Sequence, residues 1–256
     1  MATLNDYLQF ALDAAWQAGR VTLGYFQTGV RADRKGDNTP VTIADRQAEQ
    51  KIREMVAHYW PDHAIHGEEF GKSQSSARFT WIIDPIDGTK SFISGVPLYS
   101  TLLALLDGDE AVLGVIHLPA LNEMVYAVRG GGCFWNGRTA RVSDVSELAE
   151  ATALCSEMES LAKYGRLQAW QRVMAATYLQ RTWGDGYGYA LVATGRADIM
   201  VDPALAPWDA GPLKVIIEEA GGTFTDWNGR ATQHAGEGIA TNGRLLEPLL
   251  TVIHKK

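Results

Sequence analysis

Apolar residues in the first quarter of the chain recur at the spacing of amphipathic α-helices. One such pattern runs from residue 4 to residue 26, and a second runs from residue 43 to residue 59, just before Pro61. These patterns predict two long helices. They place Asp45 in the first turn of the second helix.

Short apolar runs bounded by turn residues follow, at residues 80–84, 99–106, 111–117 and 124–129. Runs of this length predict an antiparallel sheet with the two helices packed on it. From residue 151, strand patterns alternate with helix patterns, predicted at residues 166–177, 186–194 and 209–220. Alternation of this kind is typical of α/β architecture. We therefore expect an α/β protein.

The chain shows no linker composition between these two parts. We predict a single domain over residues 1–256, made of an α+β lobe (1–150) and an α/β lobe (151–256). Sites often lie between such lobes, so the cleft is the expected place for chemistry.

Composition narrows the classes of function. With 256 residues, 46% of them hydrophobic, the chain can bury a substantial core, which excludes a disordered protein. No run approaches the ~20 apolar residues of a membrane span, and the start lacks the pattern of a signal peptide, so we expect a cytoplasmic protein without membrane contact. The 30 acidic residues outnumber 23 Lys and Arg, and without a basic stripe the formal charge of −7 argues against nucleic acid. Such a charge suits metal cations and a cationic substrate.

The most informative segment is Trp81-Ile-Ile-Asp-Pro-Ile-Asp-Gly-Thr-Lys-Ser-Phe92, in which an apolar strand leads into two carboxylates and a tight turn. Pro85 restricts the backbone and Gly88 permits a close approach, so Asp84 and Asp87 can face one point. The N–H groups of a short helix starting at Gly88 or Thr89 would face a phosphate. Mg²⁺ is commonly held by a few carboxylates together with substrate phosphate.

Two further acidic segments strengthen this interpretation: Gly67-Glu-Glu-Phe-Gly71, which contains Glu68, and Pro207-Trp-Asp-Ala-Gly-Pro212, which contains Asp209. Taken singly, the first is typical of a solvated loop and the second of a helix N-cap. In this order, with the Asp84 segment between them, they resemble the signature motifs of the inositol monophosphatase superfamily of Mg²⁺-dependent, lithium-sensitive phosphatases. The resemblance extends to Lys35–Asp45, to two segments between 119 and 137, and to 198–222.

The resemblance implies a layered αβαβα sandwich of the inositol monophosphatase/fructose-bisphosphatase type, a homodimer and two to three Mg²⁺ ions. The implied metal ligands are Glu68, Asp84, the Ile86 carbonyl, Asp87 and Asp209, with Asp84 bridging two ions. Thr89, hydrogen-bonded to Asp45, would orient or deprotonate the attacking water, in a step that also uses Glu68. The N–H groups of Gly88 and Thr89 would bind the phosphate.

Within the superfamily, the segments D-P-I-D-G-T-K-S-F-I and R-T-W-G-D-G-Y-G-Y are most similar to the branch that hydrolyses histidinol phosphate in histidine biosynthesis. Asp202 falls where inositol phosphatases carry an acid that binds a substrate hydroxyl, and Asp185 stands where they have a neutral residue. Two carboxylates would favour the amine and imidazole of histidinol, and Trp183 could pack on a ring. The alternative for Asp185 is a cap of the helix predicted from Gly186.

Three other kinds of site have no support, because the glycine spacings do not match a P-loop or a dinucleotide motif and no G-x-S-x-G is present. The leading prediction is a histidinol-phosphate phosphatase acting on a small phosphate ester. An inositol-1-phosphate phosphatase or a broad phosphatase on the same scaffold stays open. So does a catalytically silent regulator that binds metal or phosphate.

Overall fold

A computed structural model describes residues 2–34, 36, 40–73 and 77–255. In these ranges the helices are α1 Leu4–Tyr25, α2 Ile43–Tyr59, α3 Thr89–Ile93, α4 Met158–Lys163, α5 Leu167–Ala176, α6 Asp185–Ala193, α7 Pro207–Glu219 and α8 Leu246–Ile253. The strands are β1 Ala32–Arg34, β2 Pro40–Thr42, β3 Ala64–Gly67, β4 Gly71–Lys72, β5 Phe79–Asp87, β6 Ser100–Asp107, β7 Glu110–Leu118, β8 Glu123–Val128, β9 Gly132–Trp135, β10 Arg138–Ala140, β11 Thr152–Cys155, β12 Leu179–Arg181, β13 Ile199–Asp202, β14 Thr223–Thr225 and β15 Gly238–Thr241. Lys35 and residues 37–39 of the upstream family segment lie outside the described residues.

The two predicted N-terminal helices are confirmed, and both begin with a capping box. In α1 the Thr3 side chain accepts from the Asp6 N–H while Asp6 accepts from the Thr3 N–H. In α2 the reciprocal pair is Thr42 with Asp45. Such pairs satisfy N–H groups that have no partner inside a helix, and they fix where each helix starts.

The larger sheet has the strand order β10-β9-β8-β7-β6-β5-β3-β4. Its pairs are antiparallel except β3 with β5, which run parallel. Because β3 and β5 are parallel, their carboxyl ends lie at the same edge of the sheet. That edge carries Glu68, just after β3, and Asp87, the last residue of β5.

The smaller sheet has the order β12-β11-β13-β15-β14. Strand β11 pairs in parallel with β12 and β13, whereas β15 is antiparallel to β13 and β14. The carboxyl ends of the three parallel strands meet at one edge. Asp202, the last residue of β13, lies there.

The elements stack in five layers, which confirms the predicted αβαβα fold. One apolar cluster joins α1 and α2 to the larger sheet, and a second joins that sheet to α6 and α7. The smaller sheet follows, and a third cluster packs α5 and α8 on its outer face. Helices α6 and α7 therefore lie between the two sheets. The first turn of each helix lines the cavity that forms the candidate active site.

Among the described residues, no helix combines the length and the apolar composition that a membrane span requires.

Candidate active site

Seven carboxylates line one cavity of about 830 Å³; one belongs to Glu157, and the other six belong to Glu68, Asp84, Asp87, Asp185, Asp202 and Asp209. Of these six, the first three come from the edge of the larger sheet, and the others from α6, the end of β13 and the first turn of α7. Lys90 also reaches the wall, where it forms an ion pair with Glu157. The cavity is therefore strongly acidic.

The centre of the cavity holds Asp84, Asp87 and Asp209, with one carboxylate oxygen from each lying within 4.8 Å of the others. Residues three apart in a regular strand point to opposite faces. Here the register of β5 against β6 shifts between Asp84 and Asp87. This irregularity, at Pro85 and Ile86, allows both carboxylates to face one point.

Asp209 reaches the same point from α7. It occupies the third position of the helix, and its carboxylate accepts a hydrogen bond from the Ala206 N–H at 2.7 Å. Pro207 at the first helical position favours this start. The residue is thus both half of a cap and a member of the cluster.

Burial and mutual repulsion disfavour the charged forms of these acids. Burial raises the pKa of Asp84 well above its usual value, and the charges of its acidic neighbours raise it further. The pKa of Asp209 is raised to about 7, mainly by burial and then by the charge of Asp87. The pKa of Asp87 is also raised to about 7, mainly by burial and then by the charge of Asp185. A donor set made only of oxygen atoms fits a hard divalent cation, whose charge would stabilise the ionised carboxylates.

Glu68 and the Ile86 carbonyl lie beside this cluster. The Glu68 N–H donates to the Ile83 carbonyl at 3.0 Å, and its carboxylate lies close enough to Asp84 to raise the pKa of that acid. The Ile86 carbonyl accepts the Thr89 hydroxyl at 3.0 Å. All the predicted metal ligands therefore line the same cavity.

The predicted hydrogen bond between Thr89 and Asp45 is absent from the structure. Thr89 donates to Ile86 instead, and the Asp45 carboxylate serves the capping box of α2 through one oxygen, accepting from the Thr42 N–H and hydroxyl at 2.7 and 2.6 Å. The other oxygen, Oδ1, is buried without a partner. The Thr89 hydroxyl and the Asp45 carboxylate each bind a residue three positions away in the sequence.

The predicted turn and short helix at Gly88 and Thr89 are present, and their binding of phosphate stays a prediction. Helix α3 begins at Thr89, and its cap Gly88 is left-handed, with φ of +80°. At Gly88 a Cβ would also lie 2.9 Å from Asp185 Oδ2. The Asp185 carboxylate therefore lies directly against the turn.

Asp185 is held in an uncommon backbone conformation. Its φ is +55°, and its N–H donates to Ser156 Oγ at 2.9 Å. A Cβ at either flanking glycine, Gly184 or Gly186, would collide with neighbouring atoms. Asp185 is the first residue of α6 rather than its cap, which is Gly184, so the structure does not support the capping alternative.

Asp202 is buried at the end of β13. Its carboxylate accepts the Tyr189 hydroxyl at 3.0 Å, and its backbone carbonyl accepts Trp227 Nε1 at 2.9 Å. Burial raises the pKa of Asp202 to about 7, and burial followed by the charge of Asp202 raises that of Asp185 to about 7. Both acids would gain from a cationic ligand.

Trp183 is not among the described residues that form the cavity wall. The residue is 39% exposed, and the Arg181 guanidinium lies over its ring at 5.8 Å. The wall instead includes Ser156, Glu157 and Tyr164, which were not predicted from the sequence. The available signal was topological: Ser156 directly follows β11, and the carboxyl ends of neighbouring parallel strands share an edge.

The chain is similar to known proteins in both sequence and fold. The sequence profile of the inositol monophosphatase family matches residues 3–256. The histidinol-phosphatase of Chlorobaculum parvum is 43% identical over 235 residues, 91% of either chain, and that of Mycobacterium tuberculosis is 38% identical over 96% of this chain and 97% of its own. The solved structure of Thermotoga maritima IMPase superimposes with a TM-score of 0.89 at 32% identity, covering 97% of this chain and 96% of that one.

Proposed function

The chain belongs to the inositol monophosphatase family and is a phosphatase, and we propose that it hydrolyses L-histidinol phosphate to L-histidinol and inorganic phosphate. The observation that carries this proposal is the Asp185 carboxylate, which lies against the Gly88 turn. A phosphate bound at that turn would hold its leaving group close to Asp185. An acid in this position favours a cationic leaving group over a neutral polyol.

The family is metal-dependent, and we propose Mg²⁺, two to three ions in each site. Glu68, Asp84 and the Ile86 carbonyl would hold one ion, Asp84, Asp87 and Asp209 a second, and Glu68 a weaker third. When bound, such ions neutralise negative charge on the phosphoryl group and make a nearby water more acidic. This compensation matters here because the cavity wall would otherwise repel a phosphate.

Thr89 has a role that its own hydrogen bond makes possible. Because the hydroxyl proton is directed to the Ile86 carbonyl, the hydroxyl oxygen can accept a hydrogen bond from water and orient it for in-line attack. The N–H groups of Gly88 and Thr89 would bind the phosphate oxygens. Asp45 remains a predicted catalytic residue: its unpartnered Oδ1 would accept from a water, or from Thr89 after rotation of the hydroxyl.

We assign Asp185 and Asp202 to the amine and the imidazole of histidinol, which together carry up to two positive charges. The relatives named histidinol-phosphatase support histidinol phosphate as the substrate. We keep Trp183 as a predicted contact that would require its side chain to turn from Arg181 towards the cavity. A cytoplasmic location and a homodimer also remain predictions.

The Thermotoga maritima IMPase structure favours one rival, an inositol-1-phosphate phosphatase or broader phosphatase on the same scaffold. The silent regulator is the weaker rival, because the carboxylates of the cluster are all in place. Release of phosphate from histidinol phosphate with Mg²⁺, lost with EDTA and in Asp84→Asn, is the expected result. No release by the folded wild-type protein would contradict the proposal.

A further inference from the structure

The acidic turn, residues 67–71, is held from α2 by a buried carboxylate. Glu49 has no exposed surface, and its Oε2 accepts the Glu69 N–H at 2.7 Å while Oε1 accepts the Phe70 N–H at 3.3 Å. These two N–H groups directly follow Glu68. Glu49 therefore fixes the backbone on the carboxyl side of a predicted metal ligand.

Arg53 completes the attachment one helical turn further on. Its Nε donates to Glu49 Oε1 at 2.7 Å, and its guanidinium also donates to the Gly71 carbonyl and lies over the Phe70 ring at 5.7 Å. The ion pair is largely buried, with 17% of the Arg53 side chain exposed. Charge-assisted bonds in such surroundings are short and directional.

Gly67 fixes the other side of Glu68. A Cβ at this position would overlap the Glu49 carboxylate, so the carboxylate packs against the bare backbone of Gly67. The Glu68 N–H itself is bound to β5 through the Ile83 carbonyl. Movement of the turn towards α2 would bring Gly67 into collision with Glu49, and movement away would break the hydrogen bonds of Glu49 with the Glu69 and Phe70 N–H groups.

Burying a charged pair is costly, and replacing it with apolar residues is often neutral for stability. Glu49 does not line the cavity among the described residues, so its effect must pass through the turn. We propose that Glu49, supported by Arg53, is a positioning residue that sets the Glu68 carboxylate for binding a divalent cation. This inference rests on the proposed function, in which Glu68 is a metal ligand.

Mn²⁺ binding, followed by electron paramagnetic resonance of the free ion, tests the inference without reference to activity. We expect Glu49→Gln and Arg53→Lys to weaken Mn²⁺ binding about 10- to 100-fold, as the loss of outer-sphere partners usually does. Glu54→Gln is the matched control, because Glu54 is an exposed acid of the same helix that accepts a bond from Gln50. Its binding should equal that of the wild type.

The double variant Glu49→Gln/Glu68→Gln separates positioning from general destabilisation. If Glu49 acts through Glu68, its substitution adds no further loss once Glu68 is changed, whereas independent effects would add. Additive losses, or unchanged binding in a folded Glu49→Gln protein, overturn the inference and leave the proposed function intact. Unchanged binding in Glu68→Gln overturns the inference together with the assignment of Glu68 as a metal ligand, whereas the proposed function itself is decided by phosphate release. If Glu49→Gln does not fold, Arg53→Lys decides by the same criteria.

Discussion

The Asp87 carboxylate accepts a hydrogen bond from the Gly186 N–H at 2.5 Å, and this bond joins the edge of the larger sheet to the first turn of α6. The same oxygen, Oδ2, accepts the Ser100 hydroxyl at 2.7 Å, so that Oδ1 can still face a cation. Gly186 directly follows Asp185. The predicted metal site and the predicted substrate wall are therefore mechanically connected through one carboxylate.

Asp84→Asn should abolish turnover while the fold survives. The substitution removes one negative charge at the centre of the acidic cluster, where cations are expected to bind, and a loss of about three or more decades in kcat is typical of a metal-assisted step. Phosphate release and circular dichroism on the same preparation check this. Near-normal activity in a folded variant would show that Asp84 is not a ligand.

Thr89→Ala should lower kcat far more than it changes KM. The proposed role, orienting the attacking water, matters mainly in the transition state, and help of this kind is typically worth about 10²- to 10⁴-fold. Thr89→Ser, which keeps the hydroxyl, is the matched control and should retain most activity. A twofold drop in Thr89→Ala would remove the residue from the mechanism.

Asp185→Asn should weaken kcat/KM for histidinol phosphate and leave a small neutral ester such as glycerol 2-phosphate nearly unaffected. Asn tolerates the positive φ of this position, so the backbone should be preserved. A charge-assisted hydrogen bond of about 1.5–3 kcal/mol corresponds to roughly 10- to 150-fold. Equal losses on both substrates would instead point to the structural link through Gly186 and Asp87.

The metal-free protein should lose stability as pH rises from about 4 to about 7. In the folded state the pKa values of Asp87, Asp185, Asp202 and Asp209 are raised from 3.8 to about 7, so the folded state binds more protons than the unfolded state over this interval. Unfolding free energy then falls with pH and levels off above it. In EDTA, Tm should drop by at least a few degrees between pH 5 and pH 8, and Mg²⁺ should restore it. A Tm that rose with pH over this range in EDTA would contradict the raised pKa values of these four acids in the folded state.

Much of the fold was predictable, because helix boundaries depend on local signals. The capping pair of Thr42 and Asp45 lies within four residues, and α2 spans the predicted residues 43–59. Strand β5 ran further than its apolar pattern, to Asp87, because the shifted register lets polar residues continue the pairing with β6. Pro85 marks an irregularity in the strand, but the local sequence does not show that pairing with β6 resumes at Asp87.

The side-chain partners within the site could not be predicted as reliably as the helix boundaries. The bond of Thr89 with Asp45 was wrongly predicted because each found a local partner, Ile86 and Thr42. Trp183 lies outside the cavity wall because its ring packs with Arg181 at the surface. Glu49 gave no signal at all, since a carboxylate four residues before an arginine is typical of an exposed helix face.

We propose that the acids beside the Gly88 turn select a cationic leaving group. This selectivity is measured by comparing kcat/KM for histidinol phosphate with kcat/KM for inositol 1-phosphate, both at saturating Mg²⁺. We predict that histidinol phosphate is preferred by about tenfold or more, the factor that a single charge-assisted hydrogen bond of ~1.5 kcal/mol supplies. Equal values, or a preference for inositol 1-phosphate, would contradict the claim.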